Sequence, residues 1–330
     1  MRGIVWFRRD LRLNDQPALT AACEACSEVI PLFVFDEPLL QSHVFGSACV
    51  NFMLGCLEDL AASLASRGIT LQWRRGAPVE EIVHVAQAWK ADVVYWNRDY
   101  EPGAIERDRV VQQRLAQIGV IVRTFKDHVV FEAEEVRSAT GEPMQRYSAY
   151  RARWWTKWQS VQPDALPVPQ LLTAEKAASL PILLPLPSAV DLGYEPMPLW
   201  IEPGERSAQK RLRRFVEGPI HAYITGRNLP AIGGSSILSP HFRFGTLSAR
   251  AAVHAALASL LQGKRVSRPD VFTWIDELVW REFFQQVLAA FPRVVDEPFR
   301  QVPAPAPRTP GGERDRLYQA WREGDRKSVV

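Results

Sequence analysis

Two regimes of apolar patterning divide the chain. Through residues 1–130, short continuous runs of β-branched and aromatic residues alternate with helical stretches. The runs cover residues 4–7 (IVWF), 30–35 (IPLFVF), 69–73, 92–96 and 120–125; the helical stretches include 48–66 and 79–89. Apolar runs separated by helices predict a parallel sheet covered on both faces, that is, a doubly wound, Rossmann-like α/β domain. From about residue 204 the period becomes helical. Ala208, Leu212 and Phe215 interleave with Lys210, Arg211, Arg213 and Arg214, which predicts an amphipathic helix with a basic face. Further helices are predicted over 248–262 and 271–290, with a long polar loop over roughly 228–245, so this second domain is all-α. Nine prolines within 163–203 read as an extended connector on the surface of both domains. The expected organisation is an α/β domain (1–130), a Pro-rich linker (131–203) and a helical domain (204–330).

Composition narrows the function classes. With 47% apolar and 23% charged residues, the chain is ordinary globular protein, and its 330 residues suit two domains. A net charge of +3 does not by itself point to nucleic acid. Four cysteines are too few for a disulfide scaffold. Cys23 and Cys26 form a C-x-x-C, open to a zinc or redox reading, but no second Cys/His pair has ligand spacing and small buried thiols are favoured. No run of 18 apolar residues is present, so no membrane span is expected. The opening MRGIVWFRRDLR has charges where a signal peptide needs an apolar run, so a cytoplasmic protein is expected.

Ligands of doubly wound sheets bind beyond the carboxyl ends of the strands. The segments there are Arg8-Arg9-Asp10, Asp36-Glu37-Pro38, residues 97–101 (NRDYE) and Lys126-Asp127-His128, all polar and charged. Neither a G-x-G-x-x-G after the first run nor a Walker A lysine motif is present. Three constellations carry candidate chemistry. In the loop 233–240 (GGSSILSP), glycines and serine hydroxyls suit a phosphate, and Ser239-Pro240 reads as an N-cap followed by Pro at the first helical position. On the helix 271–290, Trp274, Glu277, Trp280 and Arg281 are spaced to share a face, placing indoles, a carboxylate and a guanidinium around a flat heteroaromatic group. Arg227, Arg243 and Arg250 near the serine loop suit a nucleic-acid backbone beside a stacked base. H-E-x-x-H and G-x-S-x-G motifs are absent, which disfavours zinc-enzyme and hydrolase readings.

Taken together these motifs resemble the photolyase/cryptochrome family. The resemblance is carried by residues 5–19 (VWFRRDLRLNDQPAL), 97–102 (NRDYEP), 141–155 (GEPMQRYSAYRARWW), 204–250 with GERSAQKRLRRF, YITGRNLP and GGSSILSPHFRFGTLSAR, and 274–284 (WIDELVWREFF). It is closer to the deoxyribodipyrimidine photolyase branch than to plant or animal cryptochromes. It implies an N-terminal domain able to hold an antenna chromophore and a helical domain binding FAD. Blue light would drive electron donation from FADH⁻ to a cyclobutane pyrimidine dimer flipped out of damaged DNA, and the electron would return after splitting. By position, Tyr223 and Ser235, Ser236, Ile237, Leu238 and Ser239 would contact the FAD phosphates, and Trp274 would line the flavin pocket. Glu277 would hydrogen-bond the pyrimidine carbonyl edge and Trp280 would stack on the dimer. Arg281 and Arg227 would face flavin or DNA phosphates, and Phe284 would join the DNA-binding surface. A monomer is expected. A blue-light receptor without repair and a non-enzymatic remnant are the alternative readings, and Glu277 with Trp280 favours repair.

The chain departs from the family at its end. After Gly324 the family continues with T-G-x-P and further helices that complete the flavin pocket, whereas this sequence ends DRKSVV. One coding of DRKS, GAC-AGG-AAA-TCC, gives Thr-Gly-Asn-Pro when read from its second base, so a frameshift just after Gly324 is expected. Only Trp321 matches a tryptophan of that region, and residues 303–316 lack one found in some relatives. The missing helices would leave apolar faces of 271–290 uncovered, so FAD binding and repair by this chain are expected to be weak or lost. The antenna's identity is left open; Gly103-Ala104 does not match the Asn-Glu of some folate-binding relatives.

Overall fold

The computed structural model describes residues 1–42, 44–170, 185–261, 266–300 and 312–325. Five parallel strands, β1 (Arg2–Phe7), β2 (Glu28–Asp36), β3 (Gln72–Gly76), β4 (Val93–Asn97) and β5 (Ile121–Phe125), form one sheet in the order β3-β2-β1-β4-β5. Ile4 pairs with Ile30 and Val94, which fixes the register across the centre. Strand alternation sorts the side chains onto two faces. Val5, Phe7, Phe33 and Phe35 pack with helices α1 (Pro17–Ala25) and α3 (Ser47–Ala65); α2 (Glu37–Gln41) is a single short turn between them. Ile4, Trp6, Leu32 and Trp96 pack with α4 (Pro78–Trp89) and α5 (Pro102–Gln117). The doubly wound sheet is therefore as the apolar runs predict. One strand is displaced: the third run begins at Gln72 rather than residue 69, because Ile69 and Leu71 are used as loop residues in the core. Although no uninterrupted apolar run of 18 occurs, α3 is long and apolar enough to cross a membrane by length and composition. Its Val50, Leu57, Leu60 and Leu64 are buried in the core on one face of the sheet, which accounts for that apolarity. Cys26 and Cys56 are buried, and Cys26 Sγ lies 3.5 Å from the Tyr95 hydroxyl.

The Pro-rich region contains more order than its composition suggests. Residues Tyr147–Val161 form α6, with Tyr150, Trp154 and Trp158 buried at helical spacing. Leu166 exchanges hydrogen bonds with Asp15, and His254 Nε2 lies 2.9 Å from the Pro163 carbonyl. Ala189, Leu192 and Ile201 join the same core as α3. Residues 171–184 of the expected connector lie outside the described residues.

The helical part comprises α7 (Glu205–Val216), a 3-10 turn Pro219–Ala222, α8 (Tyr223–Gly226), α9 (Ser239–Phe244), α10 (Ala249–Ser259) and α11 (Arg268–Ala290). The expected polar loop 228–245 thus contains a helix, and Ser239 is its first residue, so the capping position falls on Leu238. Residue 262, the expected end of the α10 helix, lies outside the described residues. Gly245 terminates α9 at φ +62, where a Cβ would collide with the Arg9 carbonyl. Through that close approach Leu11 N–H donates to the Phe244 carbonyl at 3.0 Å and Arg12 Nη1 to the Gly245 carbonyl at 2.9 Å. The rim of the sheet and the start of the helical part are locked together there. Residues 1–290 form one compact unit. The expectation of uncovered apolar faces on 271–290 is met only at Phe284, which is exposed; Val271, Trp274, Ile275, Val279 and Phe283 are buried among α6, α8, α10 and the 3-10 turn.

A second unit spans Phe291–Val330. Its described elements are a 3-10 turn, Pro292–Val295, and α12 (Gly312–Glu323), in which Tyr318 and Trp321 stack at 5.9 Å. Most of 303–316 and all of 326–330, on which two expectations rest, lie outside the described residues.

Candidate functional site: a polar cleft and a rim cavity

A cleft of ≈ 400 Å³ opens where α11 passes α9. One wall comes from α11, whose Trp274, Glu277 and Arg281 follow at steps of three and four residues and so face the same way. Ser239, Phe242 and Arg243 from α9, with Ser236 from the preceding loop, form the opposite side; Tyr223 contributes one end. Arg9 and Glu101, from the loops after β1 and β4, reach in from the sheet. Of the residues singled out from the sequence, Tyr223, Ser236, Ser239, Trp274, Glu277 and Arg281 therefore converge, joined by Arg243 and by Arg9 and Glu101 of the rim.

The others lie elsewhere. Ser235 is exposed outside the cleft lining, Leu238 is buried, and Ile237, at φ +52, packs toward the sheet core. Arg227 Nη1 donates to Glu277 Oε1 while its guanidinium lies 5.7 Å from the centre of the Tyr223 ring. Trp280 turns away from the cleft toward α6, because two successive three-residue steps, Trp274 to Glu277 to Trp280, carry it about 120° round the helix, whereas a four-residue step brings Arg281 back into line. Tyr147 stacks on one side of its indole, with centroids 3.4 Å apart and planes at 9°, and Phe284 lies on it at 5.6 Å and 23°. Arg281 lines the cleft, yet its guanidinium donates to the His128 carbonyl (2.6 Å) and more weakly to that of Phe242 (3.4 Å). Burial, and then the nearby Arg9, bring its pKa down to about 10. Arg250, read as a phosphate-facing cation, is instead buried: it donates through Nη2 to Asp15 at 2.9 Å, and Ser248 Oγ donates to the same carboxylate.

A second cavity of ≈ 570 Å³ lies beyond the carboxyl ends of the strands. Phe33, Phe35, Phe45 and Met53 give it an apolar wall; Arg8 and Arg107 lie 4.7 and 5.0 Å from the Trp6 ring centre. Arg8, Arg9, Asp36, Pro38, Asp99 and Glu101 of the expected rim line it. Asp10, Asp127 and His128 do not; they are buried, with Asp127 paired to Arg12 and Asp10 accepting from Asn97 Nδ2 at 2.6 Å. Burial, reinforced by Asp127, raises the Asp10 carboxyl to about 6. Burial together with Arg9 holds His128 down to about 3, so it is neutral at physiological pH. The wall between the two cavities is an ion cluster. Arg9 bonds Asp99 (2.9 Å) and Glu101, and Arg243 bonds the same Glu101 oxygen at 2.6 Å. Burial opposes ionisation of Glu101, but the two guanidiniums outweigh it and its pKa falls below the usual carboxylate range.

Sequence reasoning missed Glu282. It is buried on α11 and accepts four hydrogen bonds: from Val130 N–H (2.7 Å), Phe131 N–H (3.3 Å), Tyr150 O–H (2.9 Å) and Trp154 Nε1–H (2.8 Å). Burial pushes its pKa up, the four donors pull it back, and the balance lies at about 7. A signal was available: Ile275, Val279, Glu282 and Gln286 share one helical stripe, so an acid and an amide sit on the apolar face.

A profile of the DNA photolyase family matches residues 3–170. The chain belongs to that family. It is 35% identical to the deoxyribodipyrimidine photo-lyase of a Synechococcus strain, over 96% of this chain and 66% of that protein. It is also 36% identical to an uncharacterized 31.6 kDa protein of another Synechococcus strain, over 85% of this chain and 98% of that one. The crystal structure of a class III photolyase from Agrobacterium tumefaciens superimposes with a TM-score of 0.81 at 28% identity, covering 98% of this chain and 65% of that one. The chain thus spans about two thirds of the length of the photo-lyases it matches.

Proposed function

We propose that this chain carries the light-dependent DNA-repair chemistry of a deoxyribodipyrimidine photolyase, acting on cyclobutane pyrimidine dimers. The observation that carries the reading is the convergence of Glu277, Trp274, Tyr223 and Arg281 on one cleft whose far side offers two serine hydroxyls and Arg243. The donor set suits FAD: hydroxyls and guanidiniums for a pyrophosphate, an indole and a phenol for flat rings. When bound there, FAD supplies the light-driven electron donor. Ser236, Ser239, Arg9 and Arg243 would hold its phosphates, and Trp274 with Tyr223 would wall its ring system. At the cleft mouth Glu277, clamped by Arg227, would accept an imide N–H from the pyrimidine edge and fix the lesion's orientation. Trp280 and the exposed Phe284 present ring surface for a base out of the duplex, and Arg227 adds positive charge for the backbone.

The rim cavity is the site for an antenna chromophore: a largely apolar chamber edged by guanidiniums, separated from the cleft by the Arg9–Glu101–Arg243 cluster. On this reading residues 1–130 hold most of the antenna site, 131–203 connect, and 204–330 carry the DNA site and most of the flavin site, with Arg9 and Glu101 reaching into the cleft from the first domain. Glu277 beside an accessible aromatic surface favours repair over a purely light-sensing role, which has no need of a carboxylate facing the lesion.

The test is an absorbance spectrum of the purified chain with added FAD, followed by light-dependent repair of irradiated oligothymidylate. With most of the apolar face of α11 covered, the ground for weak or lost FAD binding falls away, and a structured flavin band and repair that Glu277→Gln slows about tenfold or more are expected, as for loss of an interaction that acts in the reaction. A chain that takes up FAD but repairs nothing in light would refute the repair reading.

A further inference from the structure

We propose that Tyr147 and Asp276 are positioning residues for Trp280, fixing one face of its indole so that only the Phe284 side is open to a base. The proposal rests on the reading of Trp280 as the stacking surface for the lesion. Tyr147 is the first residue of α6, and its ring covers Trp280 at 3.4 Å with planes only 9° apart. That ring is not free to move. Its hydroxyl donates to the main-chain carbonyl of Asp276 at 2.9 Å, one turn before Trp280 on α11.

Asp276 is in turn held by the same stripe of α6. Arg151 Nε donates to its Oδ2 at 2.7 Å and Trp155 Nε1 to its Oδ1 at 2.9 Å. Tyr147, Arg151 and Trp155 follow at intervals of four, so three successive turns of α6 converge on one residue of α11. Trp155 is itself braced by Phe272, with ring centroids 4.8 Å apart. The adjacent stripe, Tyr150 and Trp154, binds Glu282 in the same manner. The turns of α11 that carry Trp280 therefore lie between two acidic side chains, each tied to α6 through an indole N–H, and cannot shift against α6 without breaking those bonds. Phe284, one turn further along α11, lies 5.6 Å from the indole centre at 23°, is 61% exposed and has no hydrogen-bonding group to hold it. One face of the indole is built in, while the neighbouring Phe284 ring is one that an incoming base can displace.

The test uses the full chain labelled with 5-fluorotryptophan, the Trp280 resonance being assigned among the eleven tryptophans by Trp280→Phe. Asp276→Asn and Tyr147→Phe are measured well below their unfolding temperatures, beside Val111→Ala, a core substitution on the far face of the sheet. The expected result is a displaced or broadened Trp280 line in the first two and an unchanged line in the third, although neither altered polar atom stacks on the indole. Affinity for a dimer-containing oligonucleotide should fall about tenfold in the first two, within the range that a base–aromatic stack contributes. An unmoved Trp280 line in Asp276→Asn and Tyr147→Phe overturns the proposal. So does a line that moves equally in Val111→Ala, which would make the effect one of general stability. A chain that binds no dimer while the Trp280 line responds as stated refutes the repair reading and leaves the positioning roles standing.

Discussion

Replacing Glu282 with glutamine should remove a pH dependence from the stability. The carboxyl is buried among four donors and has no cation bonded to it, and burial raises its pKa from the usual 4.5 to about 7. Each pKa unit is worth about 1.4 kcal/mol, so the displacement corresponds to about 3 kcal/mol. The sign follows from where the proton sits. Below the unfolded value both states are protonated and this contribution is fully present. Between the two values the unfolded chain has released its proton while the folded one keeps it, so stability falls as pH rises. Above about 7 both states are ionised and the loss levels off.

Glutamine cannot ionise, so Glu282→Gln lacks this slope. Other displaced groups, such as Asp10 at about 6, titrate alike in both proteins and cancel in the difference. Urea unfolding of parent and variant at about pH 5 and about pH 8 should show the variant's relative stability improving by roughly 2–3 kcal/mol at the higher pH. A difference that stays flat with pH would mean that the four donors overcome burial and keep Glu282 ionised throughout. A variant relatively worse at the higher pH would refute the argument outright.

Two further substitutions probe the junction between sheet and helices. Gly245→Ala places a Cβ at φ +62 and against the Arg9 carbonyl, combining backbone strain with overpacking, and should cost about 3 kcal/mol or more; thermal unfolding reads it directly, and an unchanged midpoint would show that the close approach is not needed. Asp15→Ala leaves Arg250 buried without its main carboxylate and should destabilise by about 3–5 kcal/mol, whereas Arg75→Ala, in a half-exposed pair with Glu37, should cost about 1 kcal/mol or less; comparable losses in the two denaturant curves would contradict the burial argument.

The sheet was legible because each strand carries its own signal. Residues 4–7 alternate sides, so Ile4 and Trp6 enter one core while Val5 and Phe7 enter the other, and an uninterrupted apolar run is what two buried faces require. Helix α6 was equally present as Tyr150, Trp154 and Trp158 at intervals of four, but the prolines that follow it obscured the pattern. Composition describes a segment as a whole, whereas a helix needs only four turns of compatible residues. The serine loop was half legible: its hydroxyl pair at Ser236 and Ser239 faces the cleft, while Ile237 and Leu238 serve the core, a division that depends on the positive φ at Ile237.

What escaped the sequence is the set of bonds between distant segments. Glu101 reads as one acid among polar rim residues; only the fold brings Arg9 and Arg243, from segments far apart in the chain, to one oxygen of its carboxylate. Arg250 reads as a cation for a phosphate, and the fold buries it on Asp15, because an arginine on the inward stripe of α10 must find a carboxylate or unfold the helix around it. The same rule explains the exposed and the hidden members of α11. Glu277 pairs with a half-exposed arginine at the cleft mouth, Asp276 and Glu282 spend their acceptor capacity on α6 and the loop after β5, and Trp280 is aimed by them. Three acids within seven residues of one helix thus divide between recognition and support, and what separates them is which neighbour each helical turn faces.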